Sequence, residues 1–141
     1  MNEAKEIRLA IVGSRTFNDY NVLKQVITKL LEENNYKIKN IVSGGARGAD
    51  TFAEQYAKEN GIVSIVYKAD WDTYGKKAGF LRNVDIINNC DVCLAFWDGE
   101  SRGTKHDLEL CEKYNKECWV YNFKTMGYAK VWPIKKEENN G

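Results

Sequence analysis

Residues 41–50 read Ile41-Val42-Ser43-Gly44-Gly45-Ala46-Arg47-Gly48-Ala49-Asp50, an apolar run that breaks into three glycines and an arginine. Phe52, Ala53, Tyr56 and Ala57 then fall at helical spacing. A buried strand, a loop clear of side chains and a helix start are the parts of a phosphate cradle. Glycine lets the main chain approach an anion, and the free amides of a first helical turn meet it at the positive end of the dipole. Arg47 adds a cation whose fork matches phosphate. Ser43, Gly44, Gly45, Arg47, Gly48 and Asp50 are therefore candidate ligand contacts, although the dipole favours an aspartate at a helix start without any ligand. The plainer alternative is a glycine turn that merely joins strand to helix.

The pattern returns in Trp97-Asp98-Gly99-Glu100-Ser101-Arg102-Gly103-Thr104. Arg47-Gly48-Ala49 and Arg102-Gly103-Thr104 both set Arg-Gly-small at the head of a helix, after an apolar run. Two such mouths on one crevice would suit a ligand with phosphate groups, touched by Ser101, Arg102, Gly103 and Thr104. Gly13-Ser14-Arg15 closes the first apolar run and joins the candidates, but it is not G-x-G-x-x-G, so a dinucleotide fingerprint does not explain it. Trp71, Tyr74 and Trp97 suit stacking on a base, while Lys76, Lys77 and Arg82 suit phosphate. Trp71 and Trp97 would serve equally as plugs at a sheet edge. His106, the single histidine, reads as an exposed polar residue rather than a general base. No Ser-His-Asp order occurs and no cysteine sits in a motif loop, so covalent catalysis is not expected.

The elements that must position these residues follow from the hydrophobic period. Arg8 to Val12 reads as a strand buried on both faces. Asn18 or Asp19 caps a helix with Leu23, Val26, Ile27, Leu30 and Leu31 on one side, and Asn34-Asn35 ends it. Asn40–Ser43 is the second strand, followed by a helix from about Ala49 to Asn60 that stops at Gly61. Ile62–Tyr67 is a third strand, and Lys68–Lys77 is irregular. A helix from about Ala78 to Asn89 turns Leu81, Val84 and Ile86 or Ile87 inward. Asp91–Phe96 is the fourth strand, and a helix to about Asn115 buries Leu108, Cys111 and Tyr114. Glu117–Asn122 is the fifth strand. The segment around Val131-Trp132-Pro133-Ile134 packs back on the body, and the tail from Lys135 to Gly141 frays. Apolar strands alternating with helices predict one α/β domain: a Rossmann-like, doubly wound, mostly parallel five-stranded sheet with helices on both faces. Right-handed crossovers then gather the loops after the strands at one edge.

The totals set limits on partners. The chain has 141 residues, 43% hydrophobic and 29% charged, with a net charge of +1, so any anion site is local and near-neutral charge argues against nucleic acid. No stretch of about 18 apolar residues predicts a membrane span, and Met1 to Arg8 lacks the apolar core of a signal peptide, which points to the cytoplasm. Cys90 and Cys93 have zinc-like spacing but no second pair follows, so Cys90, Cys93, Cys111 and Cys118 read as buried thiols, with no metal and no cofactor expected.

Taken in order, Gly13-Ser14-Arg15, Ser43 to Asp50, Ala69-Asp70-Trp71, Gly75-Lys76-Lys77-Ala78-Gly79, Arg82-Asn83, Phe96-Trp97-Asp98-Gly99 and Ser101 to Thr104 resemble the SLOG superfamily. The similarity, over about residues 8–122, is to its small branch of YspA-type proteins, frequent in phages. The resemblance implies a Rossmann-like fold, often a homodimer or higher oligomer, that binds nucleotide-derived ligands. Members include the Lonely-guy phosphoribohydrolases and DNA-processing protein A, which binds single-stranded DNA. Enzymatic members carry a P-G-G-x-G-T-x-x-E loop and an upstream arginine. Here Thr104 and Asp107 stand at the T-x-x-E positions and Arg82 resembles that arginine, which makes Asp107 and Arg82 candidate catalytic residues. The proline is missing, the loop is longer, and aspartate replaces glutamate. Thr104-x-x-Asp107 also has a plain reading as a capping box. The reading that results is a module that senses or sequesters a small phosphorylated ligand, such as an ADP-ribose-like or NAD-derived molecule, with Asn83 among its contacts. N-glycosidic hydrolysis is the alternative, and single-stranded nucleic-acid binding a further one.

Overall fold

Leu9, Ala10, Ile11 and Val12 offer no polar side to water, so the strand they form must be covered on both faces. In the computed structural model, which describes residues 3–134, that strand is β1 (Lys5–Gly13), in the middle of a six-stranded sheet. The others are β2 (Tyr36–Ser43), β3 (Val63–Val66), β4 (Val92–Trp97), β5 (Glu117–Asn122) and β6 (Gly127–Trp132). Their order is β3-β2-β1-β4-β5-β6; the first five run parallel and β6 pairs antiparallel with β5.

The helices α1 (Tyr20–Asn34) and α2 (Ala49–Glu59) cover one face, burying Leu23, Val26, Ile27, Leu30, Ala53 and Ala57 against Ile7, Leu9 and Ile11. On the other face α4 (Ala78–Asn88) and α5 (Arg102–Lys113) bury Ile86, Ile87, Leu110 and Cys111 against Ala10, Val12, Cys93 and Ala95. The sheet is doubly wound, as the alternation of elements predicts. The direction of winding reverses between β1 and β4, which opens a crevice beyond their carboxyl ends.

Asp19 caps α1 by accepting from the Val22 amide at 3.1 Å, and Asn35 closes it in the left-handed region at φ 55°. The sixth strand is a departure from the expected five. It was hidden because Gly127–Trp132 carries only a short, weak alternation. Its pairing depends on a tight turn in which the Asn122 carboxamide accepts the amides of Lys124 and Thr125. Tyr128 then stacks on Trp119 with centroids 5.3 Å apart. Within Lys68–Lys77, read as irregular, Trp71–Tyr74 forms one turn of helix (α3), capped by Asp70 and followed by a 3-10 turn. Strand β3 is an edge strand, with Val63 65% exposed.

Two helical faces differ from the periodic reading. In α4 the buried set is Ala78, Asn83, Ile86 and Ile87, while Leu81 is 38% exposed on the side of Asp85 and Asn88. In α5 the buried set is Thr104, Asp107, Leu110 and Cys111, and Leu108 and Tyr114 are only half-buried. Both helices present polar residues to the crevice, so apolar periodicity misjudges their rotation. The capping-box reading of Thr104 and Asp107 is overturned: Ser101 is the N-cap, and both residues lie inside the helix, facing inward. The expected fraying from Lys135 onward lies outside the described residues. Among the described residues no helix is long and apolar enough to cross a membrane.

At the N-cap of α2 the chain passes directly over the β1–α1 loop. Gly48 sits at φ 79°, and a Cβ there would stand 2.5 Å from the Ser14 carbonyl oxygen and 3.0 Å from the Arg15 backbone. Gly61 has a similar φ of 65° with nothing within 4 Å. Urea unfolding should therefore separate two effects: Gly61→Ala should cost only left-handed strain, about 1 kcal/mol, and Gly48→Ala clearly more, about 3 kcal/mol or beyond. Equal costs would mean that the close approach is not tight in solution.

Candidate functional site

Three loops leave the carboxyl edge of the sheet side by side, and short polar contacts lock them together. Gly13 ends β1 with no room for a side chain, since a Cβ would meet the Phe96 carbonyl oxygen at 2.5 Å and the Ala49 Cβ at 2.8 Å. Ser14 is buried; its Oγ lies 2.7 Å from the Ser101 Oγ and accepts the Asp98 amide at 3.2 Å. Asp98 in turn accepts the amides of Glu100 and Ser101 at 2.8 Å each, and these hydrogen bonds hold its carboxyl below the usual range. The β4–α5 loop is thus an Asx turn tied to the β1–α1 loop. Trp97 closes the outside, with its indole N–H donated to the Ser101 carbonyl at 3.1 Å.

The glycine loop after β2 carries its own anion. The Asp50 carboxylate accepts the Ala46 amide at 3.1 Å, and Thr51 Oγ1 donates to the Ala46 carbonyl at 3.0 Å. Asp50 therefore takes up a loop amide that the sequence offered to a phosphate. Only 7% of it is exposed, and burial pushes its carboxyl up to about 6 against the pull of that amide and of Arg82. Arg82, on α4, donates from Nη1 to the Gly44 carbonyl at 2.7 Å and from Nε to the Asn83 carboxamide oxygen at 3.0 Å. The Asn83 amide nitrogen is 3.1 Å from His106 Nδ1, and His106 stacks on Phe80 with centroids 4.3 Å apart. Burial holds His106 below its ordinary value, so the neutral ring accepts from Asn83 and orients its oxygen toward Arg82.

Between these loops lies a cavity of about 320 Å³, lined by Gly13, Ser14, Arg15, Thr16, Ala46, Asp50, Arg82, Asn83, Asp98, Ser101, Gly103, Thr104 and Asp107, over Val12 and Ile86. Asp107 is 5% exposed, and its Oδ1 has no hydrogen-bond partner among the described residues. Burial, then the nearby Asp50 charge, lifts its carboxyl well above the ordinary value, opposed by Arg82. Two buried acids facing one cavity, the Asp107 carboxyl raised further by the Asp50 charge, can divide the roles of proton donor and proton acceptor. A second hollow of about 390 Å³ adjoins the first, sharing Arg15, Ala46 and Arg82 and adding Gly44, Gly45, Arg47, Lys68, Ala69 and Trp71.

The sequence-derived candidates thus divide by place. Gly13, Ser14, Arg15, Asp50, Arg82, Asn83, Ser101, Gly103, Thr104 and Asp107 line the inner cavity, and Gly44, Gly45, Arg47 and Trp71 the outer hollow. Ser43 is buried under the glycine loop, Gly48 is used in the loop crossing, and Lys76, Trp97 and Arg102 line neither space, with Lys76 and Arg102 exposed. Sequence reasoning missed Asp98, Lys68 and the role of His106. Asp98-Gly99 ahead of a helix carries an Asx-turn signal that could have found the first; the other two have none.

The family model for the YspA, cpYpsA-related SLOG family matches residues 7–74, which span β1 through α3 and stop short of α4 and Asp107. The Gene 61 protein of Mycobacterium phage D29 is 38% identical over 112 residues, covering 75% of this chain and 89% of that protein. Among solved structures, DNA processing protein A from Helicobacter pylori, described for its single-stranded DNA binding mode, superimposes with a TM-score of 0.59 at 23% identity. That match covers 84% of this chain and 65% of the other, so the chain spans less than two thirds of that protein, and it speaks to the fold alone. On the phage relative and the family model together, the chain belongs to the YspA, cpYpsA-related SLOG family.

Proposed function

We propose that the chain binds a small phosphorylated, nucleotide-derived molecule of the ADP-ribose or NAD-derived class, to sense or sequester it. The observation that carries this reading is the inner cavity, where the buried Asp107 carboxyl has an oxygen without a partner among the described residues. A buried polar atom left unpaired costs about 1–3 kcal/mol, which a ligand hydroxyl would recover. The start of α5 at Gly103 and Thr104, with Arg15, suits a phosphate. The outer hollow, with Arg47, Lys68 and the half-exposed Trp71, extends the space enough for a second phosphate and a stacked base.

A second reading, N-glycosidic hydrolysis, is favoured by the two buried carboxyls that face one cavity. The ribose C1′–N bond would break with its electron pair going to the base nitrogen, which takes the Asp107 proton. Water oxygen adds to C1′, and its proton passes to the Asp50 carboxylate. Single-stranded DNA is a third candidate, brought by the solved relative; exposed Arg47, Lys68 and Trp71 would meet it, against a net charge of +1. Anisotropy of a labelled oligonucleotide at rising salt distinguishes it, because polyanion binding falls steeply with salt.

Titration calorimetry with ADP-ribose should give saturable binding, and Arg15→Ala should weaken it about 10- to 150-fold, the loss of one charged hydrogen bond. Silence across ADP-ribose, cyclic nucleotides and nucleoside monophosphates would overturn the binding reading. Turnover is a separate measurement: adenosine monophosphate or NAD should release free base, and Asp107→Asn should stop release while leaving binding. A wild-type protein that binds without release eliminates the hydrolase and spares the binder.

The pH dependence has a definite sign. The folded Asp50 value of about 6 lies above the ordinary 3.8, so its protonated form is the one the fold favours. That contribution to stability is complete below about 4 and is lost as pH rises through about 6. ADP-ribose, unlike a phosphate monoester, keeps its charge through this range, so its affinity should fall over the same interval as Asp50 becomes an anion. Asp50→Asn should flatten both profiles; an unchanged affinity profile would place the titrating group elsewhere.

A further inference from the structure

We propose that Cys93, Cys111 and Cys118 form a buried three-thiolate site for one divalent d10 ion of the zinc type. The Cys90-Cys93 spacing in the sequence suggested a different pair; the fold instead brings together sulfurs from β4, α5 and β5. Cys93 and Cys118 are register partners on adjacent parallel strands, so their side chains leave the same face. Cys111 comes down on them from α5.

The three Sγ atoms all lie within 4.8 Å of one another. Three sulfurs each about 2.3 Å from a central zinc would be about 4 Å apart, so the cluster needs only a slight contraction. As plain hydrophobes these residues would need contact between side chains, not convergence of all three sulfurs. The set is purely soft sulfur, with no carboxylate or imidazole, which selects zinc and its heavier congeners over magnesium or calcium.

Charge decides the oxidation state. All three residues are fully buried, where an uncompensated charge is expensive. A divalent ion with three thiolates carries one negative charge. Lys116 supplies the opposite one: its ammonium donates to the Cys90 carbonyl at 2.9 Å and acts electrostatically on Cys111. A monovalent ion would leave a net negative charge in the core. The ion would also tie α5 to β4 and β5 directly behind Asp107, one helical turn before Cys111.

The test uses the full chain, purified under reducing conditions from cells supplied with zinc, with metal content read by elemental analysis. About one ion per chain is expected, and exchange with cadmium should produce thiolate-to-metal charge-transfer absorption in the ultraviolet. Cys111→Ala and Cys118→Ala, checked for fold by circular dichroism, should lose both the ion and the absorption. If either variant fails to fold, the cadmium absorption of the wild-type protein decides. A folded wild-type chain without thiolate-bound metal, or a folded variant that keeps it, overturns the proposal.

Discussion

The approach of main chain to main chain at the carboxyl end of β1 is the constraint on which the crevice depends. At Gly13 the chain leaves the sheet against the Phe96 carbonyl, and at Gly48 the entry to α2 crosses over Ser14 and Arg15. Neither position has room for a Cβ, so the three loops are as close as backbones allow. Ser14 then joins its loop to Ser101 and Asp98 with one hydroxyl. Because the strands behind are buried on both faces and cannot shift without exposing the core, these contacts set the width of the cavity.

Within that frame, polar groups are held where folding alone would not put them. The two raised carboxyls share the cavity with the guanidiniums of Arg15 and Arg82, and that of Arg82 is partly spent on the Gly44 carbonyl. Burial raises both acids, and their proximity raises Asp107 further. Such an arrangement costs stability, and in folded proteins that kind of cost concentrates at sites that meet a ligand. His106 shows the same design one layer out: its neutral ring, stacked on Phe80, fixes the Asn83 amide that fixes Arg82. By contrast Asp98 and Asp91 are satisfied by hydrogen bonds and sit below the usual range, as structural carboxylates do.

The glycine loop illustrates how one feature can be right in kind and incomplete in detail. Its strand ends and the helix after it begins where the sequence put them, and Gly45 and Arg47 border the outer hollow, whereas Gly44 is covered by Arg82. Yet the loop amide of Ala46 serves Asp50, four residues on. The dipole argument for an aspartate at a helix start accounts for Asp50 without a ligand, whereas its burial beside Asp107 ties it to the cavity. The echo in Arg102-Gly103-Thr104 is also divided: Gly103 and Thr104 reach the cavity and Arg102 points elsewhere.

Local pattern was enough for the strands of the parallel sheet, the major helices and the edge at which the loops gather, because each depends on a run of neighbours and on the fixed hand of the crossovers. It was not enough for β6, whose pairing rests on a turn at Asn122, or for the rotation of α4 and α5, whose inner faces are polar where apolar period is the signal. Helix rotation and strand register, not spacing along the chain, decided that Asp50, Arg82 and Asp107 line one cavity, and that Cys93, Cys111 and Cys118 converge while Cys90 stands apart. Residues far apart in sequence come within a few ångströms only when the whole sheet is assembled, and no local periodicity encodes that distance.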